Sequence, residues 1–316
     1  MMNKSDKDKL FQLIVFGGQA ASGATVFVLH SLLVLVIVSN RPLRTRRAFQ
    51  ILASLSIHEA NLGLGGVLAG LDRVLLVLSG SQYITIARAE CLFKIYVILF
   101  ILNEHTYGQA HLTVSIDRLL SVAVPLSYDN YGTKYIGRLV ALPFITLLVG
   151  LPYLAIRIIS QKDQLIAPAC ITVQVYPSGY YPPVYSFGAL CFLTSMLLYI
   201  PIMVKVKKHN QVFAVNDVAR QHRLEQQRRF TITLAQISLL DFSLLLTPIC
   251  VQVAAAILGT EPALVAKFAP LRSVILRLGV MTKFFIFFRR HKHLRKGLEC
   301  LISRRLMTET QFLDVQ

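Results

Sequence analysis

The sequence predicts an all-α membrane protein: a seven-transmembrane helix bundle followed by a short amphipathic cytoplasmic helix. Three observations predict it. The 316-residue chain is 54% hydrophobic and 16% charged, with a mean hydropathy of +0.57, an apolar share that would leave a soluble protein with an unreasonably greasy surface. Its apolar residues fall in long runs separated by short basic clusters. Those clusters alternate in weight from loop to loop, as the loops of a multi-pass protein do.

A helix needs roughly 20 apolar residues to cross a bilayer core of about 30 Å. Seven segments qualify, at residues 13–38, 49–71, 91–124, 136–159, 184–206, 230–258 and 270–288. Residues 1–9, MMNKSDKDK, lead directly into the first segment, which is longer than a signal-peptide core and is expected to stay as a span. The third is long enough to tilt or to project past the bilayer. The seventh is interrupted by Arg272, Arg277 and Lys283. After it, Leu294, Leu298, Leu301 and Ile302 recur at helical spacing among seven basic residues, which suits a helix lying in the interface plane. No internal repeat is visible. The expected organisation is an extracellular tail at 1–12, one bundle at 13–288, and a cytoplasmic helix and tail at 289–316.

Orientation follows from lysine and arginine. Segments after the odd-numbered spans hold 20 of the 33 basic residues: four in 41–47, Lys134 and Arg138, seven in 205–229 and seven in 289–305. The opposite side holds nine. The amino terminus is therefore expected outside and the carboxyl terminus inside. A net charge of +17 on a soluble face would suggest nucleic acid, but here the bases sit between apolar runs and fit loops facing anionic lipid. No nucleic-acid partner is expected.

Chemistry-bearing motifs are absent. The sequence has no Gly-x-Ser-x-Gly, His-Glu-x-x-His or phosphate loop, and His58, His105 and His111 sit singly without metal-ligand spacing. No catalytic residue, metal or cofactor is expected, and the chain is read as a non-enzyme. Five cysteines, an odd number, exclude a dense disulfide scaffold and allow one bridge. Charges inside the spans are the least ordinary feature. An ionised side chain at mid-membrane costs ~2.5–3.5 kcal/mol on the insertion scale, so Glu59, Glu104, Asp241, Arg277 and Lys283 must pair or face a watery cavity.

One stretch at the end of the third span, SIDRLLSVAVPLSY at 115–128, carries more. Taken alone, Asp117 and Arg118 read as an ion pair at a membrane edge. With Pro125 and Tyr128 downstream, the stretch resembles the end of the third helix in rhodopsin-class G-protein-coupled receptors. There Asp-Arg-Tyr is followed at this spacing by Pro-Leu-x-Tyr. Asp117, Arg118, Pro125, Leu126 and Tyr128 match, and Leu119 replaces the tyrosine. HSLLVLVIVSNRPLRTRRAFQILASLSIHE resembles that class's first two helices, joined by a Leu-Arg-Thr turn at 43–45. On this register Glu59 falls on the usual intramembrane aspartate, and a one-residue slip would put His58 there. Phe242, six residues before Pro248, resembles the sixth-helix motif. The departures are that tryptophan is missing throughout, Leu246 stands at the sixth-helix tryptophan, and His30 stands at the first-helix asparagine. Lys283, Phe284 and Phe287 occupy the seventh-helix Asn-Pro-x-x-Tyr region. Such erosion looks most like the divergent chemoreceptors of nematodes.

The resemblance implies a plasma-membrane receptor that binds an unknown extracellular ligand, of small-molecule or chemosensory type, and activates a heterotrimeric G protein. Asp117, Arg118 and Tyr128 would form the coupling switch. Arg228 and Arg229 would replace the acidic residue often paired to this arginine. Cys91 and Cys170 resemble the bridge between the third helix and the second outer loop, two free thiols being the alternative. Cys300 would be a palmitoylation site, and Asn3 opens an Asn-Lys-Ser glycosylation sequon. Glu59 and Lys283 match positions around the family's sodium pocket, so a Glu59–Lys283 bridge is expected in place of the ion. Facing positions in the resembled bundle give Phe100, Glu104, Cys250, Ser273 and Arg277 as ligand contacts, with Glu104 and Arg277 either paired to each other or free for ligand. A small-solute transporter, and a non-signalling membrane partner that kept the scaffold, are the alternative readings.

Overall fold

Apolar runs become helices here because, in hydrocarbon, a backbone can satisfy its N–H and C=O groups only within its own segment. The computed structural model describes residues 4–124, 128, 131, 133–177, 181–212, 228–244 and 262–313, with backbone alone at 4–5, 133, 149, 173, 181–183, 185, 206–212, 262–272 and 304–313. Among the described residues eight main helices carry the fold: α1 (Lys4–Ser39), α2 (Arg47–Leu78), α3 (Ile95–Ala123), α4 (Thr133–Ile159), α5 (Tyr181–Val212), α6 (228–244), α7 (Pro262–Arg290) and α8 (Lys292–Leu313). The protein is an all-α seven-helix membrane bundle with an added amphipathic helix.

Several bounds differ from the sequence expectation. α1 begins at Lys4, so residues 4–12, expected as a tail before the first span, are part of the helix, with Asp6 in the first turn where the helix dipole favours an acid. At about 54 Å for 36 residues it is far longer than a bilayer core. α3 begins at Ile95 rather than at Cys91, which lies on a separate turn, Arg88–Cys91.

Among the described residues, four helices are long and apolar enough to cross a membrane by length and composition alone: Asp6–Ser39, Arg47–Leu78, Lys134–Ile159 and Ser186–Lys205. α3 is not among them, because it is lined by Asn103, His105, Gln109, His111, Asp117 and Arg118, all buried. Packed between α2, α4 and α5, it can turn polar groups inward while its neighbours cover it. Their outward faces carry the greasy surface instead, with Leu71, Leu75, Leu78, Leu148, Ile156, Leu190, Leu197 and Ile200 exposed.

Small residues let the helices approach. A Cβ on Gly63 of α2 would stand 2.5 Å from the Phe27 nitrogen of α1, and one on Gly70 would stand 2.6 Å from the Ala20 nitrogen. The α1–α2 crossing therefore depends on bare backbone, as membrane helix contacts often do. Gly108 of α3 plays the same part against the Gly188 carbonyl of α5.

Two apolar clusters mark the ends of the bundle. One surrounds a disulfide, Cys91–Cys170, whose Cα atoms are 5.6 Å apart, and includes Tyr96, Phe100, Leu154, Ile158 and Val175. A two-stranded ribbon, β1 (Ile86–Ala87) against β2 (Leu165–Ile166), reinforces that end. The other cluster joins Val36, Leu43, Phe49, Phe230, Phe287 and Leu294. Here α8 docks: Leu294 is buried, Leu298 and Leu301 pack on the cluster, and Gly297 admits Val36, Leu43 and Asn40. Ile302, expected on the same apolar face, is exposed.

Candidate functional site

At the centre of the bundle one ammonium gathers five helices. Lys283 of α7 lies 2.6 Å from Glu59 Oε1 of α2 and 2.7 Å from Asp241 Oδ1 of α6. It also donates to Tyr107 Oη of α3 at 2.7 Å. His30 of α1 completes the group: its Nδ1 is 2.9 Å from Glu59 Oε2, close but not aligned as a hydrogen bond, while Nε2 faces the Val280 carbonyl at 3.2 Å. His111 of α3 stands 3.5 Å from Asp241 Oδ2. All six side chains are buried or enclosed by their partners, so each charge depends on the others. One ammonium therefore faces two carboxylates, with two imidazoles beside them.

Toward the α8 end, Asp117 and Arg118 form a second buried unit, 0% and 2% exposed. Arg118 Nε donates to Asp117 Oδ2 at 2.9 Å, and its Nη2 bonds the same oxygen. Tyr128 donates to Asp117 Oδ1 at 2.9 Å and accepts from Arg118 Nη2 at 3.3 Å. Arg47, at the start of α2, donates to the Tyr128 carbonyl and lies over its ring, 5.1 Å from the centroid. The contact with α6 is made by Phe230, whose ring centroid is 5.3 Å from the Arg118 guanidinium carbon. Arg228 and Arg229, expected to replace the acidic residue often paired to this arginine, are exposed. Beside this unit, His291 at the α7–α8 junction is packed on Phe49, Phe230 and Phe287. Burial pushes its imidazole down to about 4, helped by Arg290 and His293.

At the disulfide end, Lys94 bridges Asp72 Oδ2 at 2.8 Å and the Pro168 carbonyl at 2.9 Å, and Tyr96 donates to the same carboxylate. Arg73 reaches the Ala169 carbonyl at 2.9 Å and Gln19 Oε1 at 3.0 Å. These bonds and the disulfide hold the 160–177 segment over the tops of α2 and α3. Residues 92–94 leave helical geometry, so the chain bends between Cys91 and α3 and brings the thiol under the loop.

The family model described as Serpentine type 7TM GPCR chemoreceptor Srsx matches residues 26–302. The chain belongs to that family. No curated protein matches it. As an Srsx member it is a seven-helix receptor-type membrane protein, in a family of chemoreceptors rather than enzymes.

Within this Srsx chain the structure sorts the expected site residues. Glu59 and Lys283 are brought together, and Glu59, not His58, faces the cluster. His58 turns toward α3 and α4, where it meets Thr106 and stacks on Phe144. Asp117, Arg118 and Tyr128 are brought together, and Cys91 is bonded to Cys170. Arg277 and Ser273 are adjacent through a 3.3 Å bond, and Phe100 packs at the disulfide end. No ion pair joins Arg277 to Glu104 among the described residues. Cys300 is exposed on α8. Asn3, Pro125, Leu126, Leu246, Pro248 and Cys250 lie outside the described residues.

Sequence reasoning missed Tyr107, Arg47 and Phe230. A signal for Phe230 was present: Phe230, Leu234, Ile237 and Asp241 recur at helical spacing and are all buried. That stripe puts Phe230 and Asp241 on one inward face of α6.

Proposed function

We propose that this protein is a G-protein-coupled chemoreceptor of the plasma membrane. Its amino terminus and disulfide end face outward and its α8 end faces the cytoplasm. It binds an extracellular ligand between the disulfide end and the Lys283 cluster, and activates a heterotrimeric G protein at the α8 end. The basic residues flanking that end, Lys205, Arg228, Arg229 and those of α8, support the orientation.

The observation that carries the reading is the Arg118 unit. A guanidinium held by its own neighbour Asp117, capped by Tyr128 and resting on Phe230 of α6, is a lock across α3 and α6. Moving α6 outward removes Phe230 and frees the guanidinium to bond carbonyls at the C-terminus of a partner helix, which the helix dipole favours. The central cluster is the natural relay, because Lys283 bonds groups on α2, α3 and α6 at once. A ligand drives the change only through its higher affinity for the open state.

Nucleotide exchange on a purified G protein, with the receptor in nanodiscs, tests this. Arg118→Ala is expected to abolish exchange while surface expression stays intact. Unchanged exchange in that variant refutes the reading.

A further inference from the structure

Arg277 of α7 is a fully buried guanidinium, 0% exposed. Its Nη1 donates to the Ser273 carbonyl one turn back, at 3.3 Å. Its face lies on α2: a Cβ on Gly66 would stand 2.5 Å from Nε, 2.6 Å from Cζ and 2.6 Å from Nη2. Near-equal distances to three atoms put that position above the guanidinium plane. The bare backbone of α2 therefore lies over the guanidinium face.

Nε and Nη2 have no hydrogen-bond partner among the described residues. These two atoms form the side-on fork of arginine, whose parallel N–H bonds match the two oxygens of a carboxylate. Neighbouring charge sharpens the demand. Arg73 is near enough to repel Arg277, and among the described residues it bonds neutral acceptors, Gln19 and Ala169. Asp72 is taken by Lys94 and Tyr96, and Glu59 and Asp241 by Lys283. A guanidinium at this depth needs an anion to offset its desolvation.

We infer that Arg277 anchors the carboxylate of a small ligand. The inference rests on the receptor reading and names the ligand chemistry for the same outer half of the bundle. Arg277 reads the anion by its fork, and Gly66 is glycine because any larger residue would displace the guanidinium. Ligand charge pulled onto α7 acts six residues from Lys283, which ties the site to the central cluster.

The test uses the full chain in nanodiscs and a panel of straight-chain and aromatic monocarboxylates beside their methyl esters, at neutral pH. Thermal unfolding and G-protein nucleotide exchange are both read. One or more acids are expected to raise the melting temperature saturably, with the matching ester inert. Arg277→Lys is expected to weaken that acid on the order of tenfold, because an ammonium cannot form the fork. Arg277→Gln should remove the shift without lowering the ligand-free melting temperature, since it deletes an unpaired buried charge. Three outcomes overturn the inference: esters as effective as acids, equal shifts from chloride or inorganic phosphate, or a ligand-free Arg277→Gln protein that melts several degrees lower. Basal exchange lost in Arg118→Ala reports on the receptor reading separately, so a receptor answering only neutral compounds would sink this inference and leave that reading standing.

Discussion

Lys283 and Glu59, 224 residues apart in sequence, meet at 2.6 Å in the middle of the bundle, and Asp241 meets the same ammonium at 2.7 Å. The third partner changes what a charge swap should do. Lys283→Glu sets an acid against Glu59 and Asp241 together and is expected to cost about 3–5 kcal/mol, the range for breaking a buried pair. Adding Glu59→Lys should not restore stability, because the acid introduced on α7 still faces Asp241 and the lysine introduced on α2 faces His30. Adding Asp241→Asn as well should restore most of it. Melting temperature and surface expression of the single, double and triple variants check this, and full recovery in the double variant would contradict it.

Arg118 rests on Phe230, and that contact joins α3 to α6. A partly desolvated cation–π contact is worth about 1 kcal/mol, or roughly fivefold in a closed-to-open ratio. Phe230→Leu keeps apolar volume and removes the ring, so basal nucleotide exchange should rise about fivefold. Phe230→Tyr should leave it unchanged. Equal basal rates in both variants would show that the ring does not hold the lock.

The Cys91–Cys170 bridge spans 79 residues of chain and is buried at 0% exposure on both sides. Removing a native disulfide typically costs about 2–5 kcal/mol. Cys91→Ser and Cys170→Ser should each cut surface expression sharply, and the double variant should be no worse than either single. In the native protein neither thiol should be alkylated before reduction. Labelling at Cys170 without reductant would contradict the expectation.

His291 gives a pH dependence with a definite sign. Its folded value of about 4 lies below the ordinary 6.5. As pH falls below 6.5 the unfolded chain takes up a proton that the folded chain refuses, so stability declines until about pH 4 and then levels. His291→Phe should flatten that part of the melting-temperature profile relative to the unaltered protein. Parallel profiles would mean that other groups set the slope.

Much of this architecture was legible along the chain. Span number, the basic side and the DRLLSVAVPLSY ending all depend on residues close in sequence, and hydropathy adds up along a segment whatever its neighbours are. Glu59 and Lys283 could be matched because the resemblance to the receptor class puts both positions around one pocket. Asp241 stood out as a charge in an apolar run, yet its partner was not legible, since nothing local says which of several buried bases it meets. Glu104 and Arg277, expected within pairing reach, show the same limit: Arg277 lies on Gly66 instead.

The sequence by itself determined a seven-helix membrane bundle, and that charges inside its apolar runs must be satisfied within it. Tertiary structure alone decided the partners: Asp241 beside Glu59 on one ammonium, Phe230 against Arg118, and Arg277 on Gly66. The physical reason is helical geometry. Successive residues point about 100° apart, so Arg229 and Phe230 share a depth but not a direction. Depth can be read from composition along the chain, whereas direction has meaning only once the neighbouring helices are in place.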